Sequence, residues 1–426
     1  MAWKVNHIKE GERKMTQKKK VCMLVHTHSF LDSRIFQKEA KSLQRNGYDV
    51  TMIVPRMKGK LFNVNKKPFN TQFLQKRFVH EGIKIVTYHY EQFKPTVDYM
   101  QSKVQSKMIF NNPIINLGLA ENADVYHAHE ITSLFLGIGI KRALAKQGKE
   151  TKLIFDSHDL IPDPFDQKPK FLEMGKLLDK MLEEIDQMIT VSPSIKAWYI
   201  SKQPTLPIEI VYNSPPLNRS YKPMPPKANA LTVGYEGHVS KEKKGSSDKI
   251  FNITKECKRN IENFKFKIIG GVLDGQTLPI PNYLKQNITL SGWVEFHDIP
   301  KQMTNVDIGW IDFDDLNKSL NRSYALPNKF FSYLNNGIPV IVNKCHDMEQ
   351  FIRTHHCGIV LNKTKATGKD YAKAIQYLHE NRDVLQQMST NARKAMVELY
   401  NWEKMEQRLL SVYDSLLNQS KRFDIG

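Results

Sequence analysis

The stretch from Arg322 to Val342 combines a helix start, a short apolar helix and an apolar strand, and this combination suits the binding of an anion. Pro327 has the fixed φ and the missing N–H group that suit the first turn of a helix. Gly337 can end that helix, and the β-branched run after it is typical of a buried parallel strand. Because free N–H groups and the helix dipole point out of a helix start, we expect an anionic ligand beside Pro327.

Histidine and carboxylate side chains occur together at two predicted strand ends in the first half of the chain. One set spans His127 to Glu130 and the other spans Asp156 to Asp159. A histidine at a strand end is often only a satisfied polar residue. The presence of Glu130 and His158 nearby nevertheless favours a functional role for His129.

A third polar group, the acidic run from Asp312 to Asp315, also follows a predicted strand. Three carboxylates at such a place could hold a divalent cation. Acidic loops are common without one, so the sequence leaves both interpretations open.

Two rounds of strand and helix alternation must position these groups. The first begins with a βαβ unit, in which strand 21–25 precedes an amphipathic helix and strand 50–54. A basic, poorly periodic insertion from Lys58 to Arg77 follows, and the sheet resumes at Ile83. The loops contain neither GxGxxG nor GxxxxGK[ST], so the usual dinucleotide site and a P-loop are not supported.

A proline-rich segment, 213–227, separates this half from a second alternation that starts near Leu231. The count of elements predicts two doubly wound α/β domains of similar size. The last segment, Trp402 to Leu417, has apolar residues at helical spacing and needs a surface on which to bury them.

Composition limits the class of protein and its partners. The 426 residues are enough for two or three domains, and the formal net charge of +19 favours anionic partners. Nucleic acid, acidic membrane lipid and phosphate-bearing small molecules all remain open on charge alone. The four cysteines have no zinc-ligand spacing, which indicates free thiols in a reducing compartment. Since no secretory signal or membrane span is found, we expect a cytoplasmic protein.

An ordered set of short motifs resembles the retaining glycosyltransferases of GT-B fold, and among them the large group called family 4. The motifs extend over roughly residues 21 to 418 and are specific only as an ordered set. They are Glu39-Ala40 with Gly47-Tyr48, Asp124 to His129, Asp156 to Leu160, Val191-Ser192, Gly237 to Gly245, Pro327-Asn328-Lys329 and Gly337 to Ile341.

The resemblance implies two Rossmann-like parallel-sheet domains facing each other across a cleft, with a C-terminal helix that crosses back to the N-terminal domain. The expected divisions are a disordered basic tail at 1–20, an acceptor-side domain at 21–212, a linker at 213–230, a nucleotide-sugar domain at 231–400 and the returning helix at 401–426. A cleft between two domains would hold the sugar away from bulk water.

The resemblance also assigns roles to residues. The phosphate-binding pair of the family falls on His238 and Lys244, where the first place usually holds arginine. We expect Lys244 to neutralise the departing diphosphate through a charge-assisted contact. The family's first-domain histidine falls on His129, which would form a hydrogen bond with the donor sugar.

Further donor contacts are expected from the stretch described first. Two glutamates eight positions apart in many members are replaced here by Tyr324 and Ser332, and the second of them usually contacts the nucleotide ribose. The remaining expected donor-binding residues are Pro327, Asn328 and Lys329. The expected acceptor-side residues are Asp32, Glu130, His158 and Asp159.

The predicted function is therefore transfer of a hexose from a UDP- or GDP-sugar to a glycan or lipid-linked acceptor, in cell-surface polysaccharide or glycoconjugate synthesis. The resemblance implies no metal and no cofactor. The expected location is the cytoplasm, where the acidic inner face of the cell membrane is a further candidate binding surface. One alternative is a catalytically impaired homologue that binds a nucleotide sugar or supports a partner enzyme, because His238 and Ser332 depart from the family pattern. A nucleic-acid-binding protein would explain the charge but lacks a recognition motif.

Overall fold

The computed structural model describes residues 18–223, 229–240, 246–272 and 277–419. Within these ranges the strands form two separate sheets of eight and six strands. The predicted N-terminal tail lies outside the described residues up to residue 17, and Lys20 already belongs to the first strand.

The N-terminal sheet has the strand order β3-β4-β2-β1-β5-β6-β7-β8, and all neighbours pair in parallel except β3 and β4. Its strands are β1 Lys20–Leu24, β2 Asp49–Arg56, β3 Arg77–His80, β4 Ile83–His89, β5 Val125–His129, β6 Lys152–Ser157, β7 Gln187–Thr190 and β8 Ile208–Ile210. Both faces of the sheet are covered, so its central strands are almost continuously apolar and buried.

The C-terminal sheet is parallel throughout, in the order β11-β10-β9-β12-β13-β14. Its strands are β9 Ala230–Glu236, β10 Asn263–Ile269, β11 Ile288–Leu290, β12 Ile308–Ile311, β13 Val340–Val342 and β14 Gly358–Val360. In this sheet the order of the strands reverses beside β9, which places the ends of β9 and β12 at a crevice suited to a ligand.

The α-helices pack on both faces of the two sheets. They are α1 Lys41–Arg45, α2 Val97–Gln105, α3 Pro113–Glu121, α4 Ile131–Lys146, α5 Pro169–Met181, α6 Pro193–Lys202, α7 Ser247–Cys257, α8 Ile299–Gln302, α9 Leu320–Ser323, α10 Asn328–Asn335, α11 His346–His355, α12 Gly368–Glu380, α13 Arg382–Ala395 and α14 Trp402–Gln419. A π-helical turn, Ile35–Ala40, leads directly into α1.

Helix α14 returns to the N-terminal domain, as the resemblance implies. The Trp402 indole donates a hydrogen bond to Ser42 Oγ at 3.0 Å, and Tyr413 Oη lies 2.9 Å from His127 Nδ1. The predicted apolar face of this helix, which includes Met405 and Leu409, is buried. The returning helix thus joins the two domains into one continuous apolar core.

The predicted helix at Pro327 is present, with a small difference at its start. Pro327 is the N-cap residue with extended backbone, and the helix proper begins at Asn328. Gly337 has a φ of +62°, which fits its expected role after the last helical turn.

All four cysteines are buried free thiols, in agreement with the prediction. Among the described helices, none combines the length and the apolar character needed to cross a bilayer.

Candidate active site

A cavity of about 410 Å³ lies between the two domains, where strand ends of both sheets meet. Charged and polar side chains line it from each side. The N-terminal domain contributes His28, Asp32, Arg34, His158 and Asp159. The C-terminal domain contributes Glu236, Arg322, Asn328 and Lys329, together with the backbone at Gly237 and Pro327.

His28 is held between two carboxylates on the N-terminal side of the cavity. Its Nε2 lies 2.9 Å from Glu130 Oε1, and its Nδ1 lies 3.5 Å from Asp32 Oδ2. Glu130 follows β5 with a φ of +77°, and its carboxylate also accepts the Thr27 N–H at 3.1 Å. The pairing of β1 with β5 brings these loops together, although the residues lie about one hundred positions apart.

These carboxylates keep His28 protonated at neutral pH. Burial opposes the charge, but the hydrogen bonds to Asp32 and Glu130 outweigh it and raise the pKa of His28 to about 10. Burial also opposes the charge of Asp32, yet His28 and backbone N–H donors hold the pKa of that carboxyl well below its usual range. His158, whose Nε2 lies 3.4 Å from His28 Nε2, has its pKa lowered by burial and is the neutral member of the group.

The charge state of His28 leads to a pH prediction for stability. Because its pKa rises on folding from 6.5 to about 10, its stabilising contribution is fully present below pH 6.5 and is lost as the pH rises towards 10. We expect the difference in melting temperature between wild type and His28→Gln to be constant below pH 6.5 and to shrink from there to pH 10. His297→Gln is the matched control because His297 is exposed. Its melting temperature should differ little from that of wild type at every pH. If the melting temperature of wild type exceeds that of His28→Gln by the same amount at pH 6 and pH 10, this charge assignment is contradicted.

Beneath the cavity floor lies a fully buried charged cluster built around Arg34. Its guanidinium donates to both oxygens of Asp156, at 2.9 and 3.2 Å, and to the Val211 carbonyl at 2.9 Å. Its Nε also lies 2.9 Å from Glu39 Oε1. Burial opposes the charge of Asp156, but Arg34, His129 and His158 together outweigh it and hold the pKa of this carboxyl well below the usual range. Arg34 therefore provides the cation that Asp156 requires, whereas burial raises the pKa of Glu39 well above its usual value.

His127 and His129 complete this cluster. His129 Nδ1 lies 3.6 Å from Asp156 Oδ2, and its Nε2 lies 3.8 Å from Glu39 Oε2. The four side chains of Glu39, His127, His129 and Asp156 are close enough together to resemble a metal-ligand set. Since the Arg34 guanidinium already pairs with both carboxylates, we interpret the cluster as a support for the strand ends above it.

On the opposite side of the cavity, Lys329 lies beside the end of β9. Its ammonium group is 4.0 Å from the centre of the Tyr235 ring, and it attracts the Glu236 carboxylate. Lys329 is on the first turn of α10, so its charge adds to the positive end of that helix. This side of the cavity is therefore suited to an anionic group.

Two reciprocal carboxylate contacts hold the domains together at the cavity rim. Asp163 of the N-terminal domain accepts hydrogen bonds from Ser319 Oγ at 2.5 Å and from the Leu320 and Asn321 N–H groups at 3.2 and 3.1 Å, at the start of α9. Conversely, Asp347 on α11 accepts the Ser194 N–H at 3.1 Å, at the start of α6. Each domain thus caps a helix of the other.

These two contacts should control local opening of the interface. Loss of an N-terminal helix cap costs about 1 kcal/mol, or roughly a fivefold change in an opening equilibrium. We expect Asp163→Ala to speed hydrogen exchange at the amides of Leu320 and Asn321 several-fold, and Asp347→Ala to do the same at Ser194. Asp166→Ala, in the same loop as Asp163 but bonded only within it, should leave these amides unchanged. Exchange that is insensitive to both substitutions would show that the carboxylates do not hold the interface.

Six of the predicted site residues line this cavity. The lining includes Asp32, His158, Asp159, Pro327, Asn328 and Lys329. Glu130 contacts the cavity through His28, whereas His129 is fully buried beneath it. A direct contact of His129 with a donor sugar stays a prediction.

Three predicted donor-side residues lie outside the lining of this cavity. The His238 ring stacks on Trp293, with 6.2 Å between the ring centres. Tyr324 packs against the N-terminal domain core, and Ser332 lines a different cavity beside the linker, its hydroxyl also bonding to Glu236. Lys244 lies outside the described residues.

The acidic run after β12 is engaged by neighbouring side chains. Lys249 lies 3.0 Å from Asp314 Oδ1 and also pairs with Asp312, whose carboxylate accepts the Tyr371 hydroxyl at 2.6 Å. Asp315 lies 3.5 Å from the Arg322 guanidinium. These contacts favour the interpretation of the run as a structural element of the sheet edge.

The sequence analysis did not identify His28, Arg34 or Glu236 as site residues. His28 lies in a loop without periodic signal, but it follows β1, and the ends of adjacent parallel strands meet at one edge of a sheet. Glu236 ends β9 directly before the predicted phosphate-binding loop, a position that also places it at this edge. Strand-end position was thus the signal available for both residues.

Comparison with known families adds to this geometry. The family model described as Glycosyltransferase Family 4 matches residues 33–219, and the model described as Glucosyltransferase 3-like, C-terminal domain, matches residues 251–411. Both domains therefore match glycosyltransferase families. No curated protein sequence matches the chain.

Solved structures share the fold over nearly the whole chain. HepE from Anabaena, in complex with UDP, is 14% identical with a TM-score of 0.65 and covers 93% of this chain and 100% of its own. Sucrose-phosphate synthase from Thermosynechococcus elongatus is 12% identical with a TM-score of 0.63, and the match covers 94% of this chain and 100% of the synthase. S. aureus TarM is 11% identical with a TM-score of 0.60, and the match covers 93% of this chain and 100% of TarM. The predicted architecture of two facing domains is confirmed.

Proposed function

Because this chain has the GT-B fold and both of its domains match glycosyltransferase family models, we propose that it is a glycosyltransferase that transfers a hexose from a nucleoside diphosphate sugar to a glycan or lipid-linked acceptor with retention of anomeric configuration. One observation carries the proposal: the cavity between the domains has a cationic side at the start of α10 and a side rich in histidine and carboxylate opposite it. A diphosphate needs the first environment, and an acceptor hydroxyl can be oriented by the second.

The diphosphate would lie at the start of α10, beside Asn328 and Lys329. Backbone N–H groups and the Lys329 ammonium favour an anion there, and Arg322 adds a second positive charge to the lining. From its place in the family motif, Lys244 would supply further positive charge as the leaving group departs. Charge-assisted contacts of this kind act most strongly on the charge that develops in the transition state.

The acceptor would enter from the N-terminal side, between Asp159 and the group formed by His28, Asp32 and His158. In a front-face reaction the bond between the anomeric carbon and the phosphate oxygen breaks as the acceptor oxygen bonds to the same face. The acceptor proton passes to the departing phosphate oxygen, so no protein base is required. The side chains orient the acceptor and exclude water, and none of these steps uses a metal.

Relatives in complex with nucleotides support the choice of donor class. HepE is described in complexes with UDP, with UDP and glucose, and with UDP-glucose. The net charge of +19 further favours an acceptor held at an acidic membrane surface, such as a lipid-linked glycan at the inner face of the cell membrane.

The second candidate function is a homologue that binds a nucleotide sugar without turnover. The observation that favours it is the position of Ser332, which bonds to Glu236 and lies outside the lining of the cavity. This candidate shares the donor site with the first and differs from it only in chemistry.

Calorimetry with UDP, GDP and their sugars, paired with an assay for released nucleoside diphosphate, separates the two functions. We expect binding and, with a membrane extract as the source of acceptor, turnover of at least one donor. Binding without turnover of any donor would favour the second candidate. Absence of any nucleotide binding would contradict both.

A further inference from the structure

The strongest unassigned feature of the cavity is the Glu236 carboxylate. Glu236 ends β9 and lines the cavity from the C-terminal side. Its Oε2 is buried and has no hydrogen-bond partner among the described residues. A buried acceptor that stays unsatisfied costs about 1–3 kcal/mol, so a partner for this oxygen would be favourable.

Two neighbours hold this carboxylate in place. The Lys329 ammonium attracts it, and the Ser332 hydroxyl donates a hydrogen bond to it. Gly237 allows the lysine to approach, because a Cβ at that position would lie 2.9 Å from Lys329 Nζ, and its φ of +128° also favours glycine. The backbone N–H of Glu236 is itself bonded to the Tyr333 hydroxyl at 2.6 Å. The carboxylate therefore stands on a fixed backbone between a cation and a hydroxyl.

The chemistry of this position selects its partner. An ionised carboxylate only accepts hydrogen bonds, and it repels a phosphate group. Burial raises the pKa of Glu236, while Lys329 and Ser332 offset part of that rise and favour the ionised form. A neutral donor group that enters the cavity, such as a sugar hydroxyl, can satisfy the orphan oxygen without a new charge.

We propose that Glu236 is a specificity-determining residue that accepts a hydrogen bond from a hydroxyl group of the nucleotide-sugar donor. This inference rests on the proposed function and deepens it. Lys329 and the start of α10 bind the anionic part of the donor, and Glu236 selects the hydroxyl-bearing part beside it. Two parts of the donor carry such hydroxyls, the ribose and the transferred hexose.

The test uses the full chain and isothermal calorimetry with a graded set of ligands. The set is UDP, GDP, their 2′-deoxy and 3′-deoxy forms, UDP-glucose, GDP-mannose and inorganic pyrophosphate. The principal variant is Glu236→Gln, which keeps the size of the side chain. Glu262→Gln is the matched control, since Glu262 is an exposed glutamate in the same domain.

We expect Glu236→Gln to weaken the binding of the hydroxyl-bearing ligands about tenfold or more and not to weaken the binding of pyrophosphate. If the substitution weakens the binding of UDP and GDP but not that of one of their deoxy forms, the contact is with the ribose. A loss seen only with the sugar-bearing ligands assigns it to the hexose. Ser332→Ala should give a smaller loss with the same ligand dependence, and Glu262→Gln none.

Two results would overturn the assignment. One is unchanged affinity of Glu236→Gln for every ligand, and the other is an equal loss for all ligands including pyrophosphate. Thermal unfolding of each variant distinguishes a local effect from misfolding, and Ser332→Ala provides the same ligand comparison with Glu236 intact. A wild-type protein that binds no nucleotide would contradict the proposed function itself and this inference with it.

Discussion

Replacing Arg34 with methionine is expected to lower the free energy of unfolding by about 3–5 kcal/mol, the cost of leaving a buried charge without its partner. Arg34 is buried together with Asp156 and Glu39, and it donates three hydrogen bonds within this cluster. Methionine fills a similar volume but satisfies none of these acceptors. Urea denaturation at neutral pH measures the loss.

The control and the pH dependence of this variant follow from the same contacts. Arg45→Met removes an exposed pair, 3.2 Å from Glu406, and should cost at most about 1 kcal/mol. Because Arg34 lowers the pKa of Asp156 in the folded state, the stability that it provides is present above the ordinary pKa of an aspartate and is lost as the pH falls. The penalty of Arg34→Met should thus be largest near pH 7 and should shrink in acid. A penalty below about 1 kcal/mol at pH 7 would contradict the role of Arg34 as the required cation.

Replacing Lys244 with alanine is expected to lower kcat by about 100- to 1,000-fold, the usual effect of removing one group that stabilises charge in the transition state. The residue precedes Gly245, and its place in the family motif is the basis for proposing that it neutralises the departing diphosphate. Steady-state kinetics with the best donor of a panel give the measurement. Since the effect lies in the transition state, KM should change much less than kcat.

Lys243→Ala is the matched control, because it removes the same charge one residue earlier in the same run. Its kcat should stay within a few-fold of wild type. Equal losses in the two variants would indicate a general charge effect of the run and would contradict a specific role for Lys244.

Much of the fold could be predicted because buried parallel strands and amphipathic helices have strong periodic signals. The predicted strand 50–54 lies within β2, and the apolar positions of α14, such as Leu409 and Val412, are buried as expected. β3 was missed because it is a four-residue antiparallel edge strand whose alternation is short, and it adjoins the basic insertion.

The site was harder to predict because its contacts join distant parts of the chain. Strand ends indicated His158 and Asp159, and the family resemblance indicated Asp32; all three line the cavity. The pairing of His28 with Glu130 depends on the strand order of the sheet, and the contacts of Asp163 and Asp347 depend on how one domain lies on the other. Local patterns contain neither kind of information.

Burial separates the predicted histidines in a way that residue type could not. His158 is partly exposed to the cavity, whereas His129 is fully buried beside Arg34 and Asp156. Both histidines lie at predicted strand ends beside carboxylates, so residue type and spacing do not distinguish them. The depth of each strand end within the sheet decides which of the two histidines lines the cavity.

The most direct test of the proposed function is release of nucleoside diphosphate by the full chain from a panel of UDP- and GDP-sugars, with a membrane extract as the source of acceptor. The product of the best donor is then analysed by NMR for its anomeric configuration. We expect release from at least one donor and a product that retains the configuration of the donor. No release from any donor, or a product of inverted configuration, would contradict the proposed reaction.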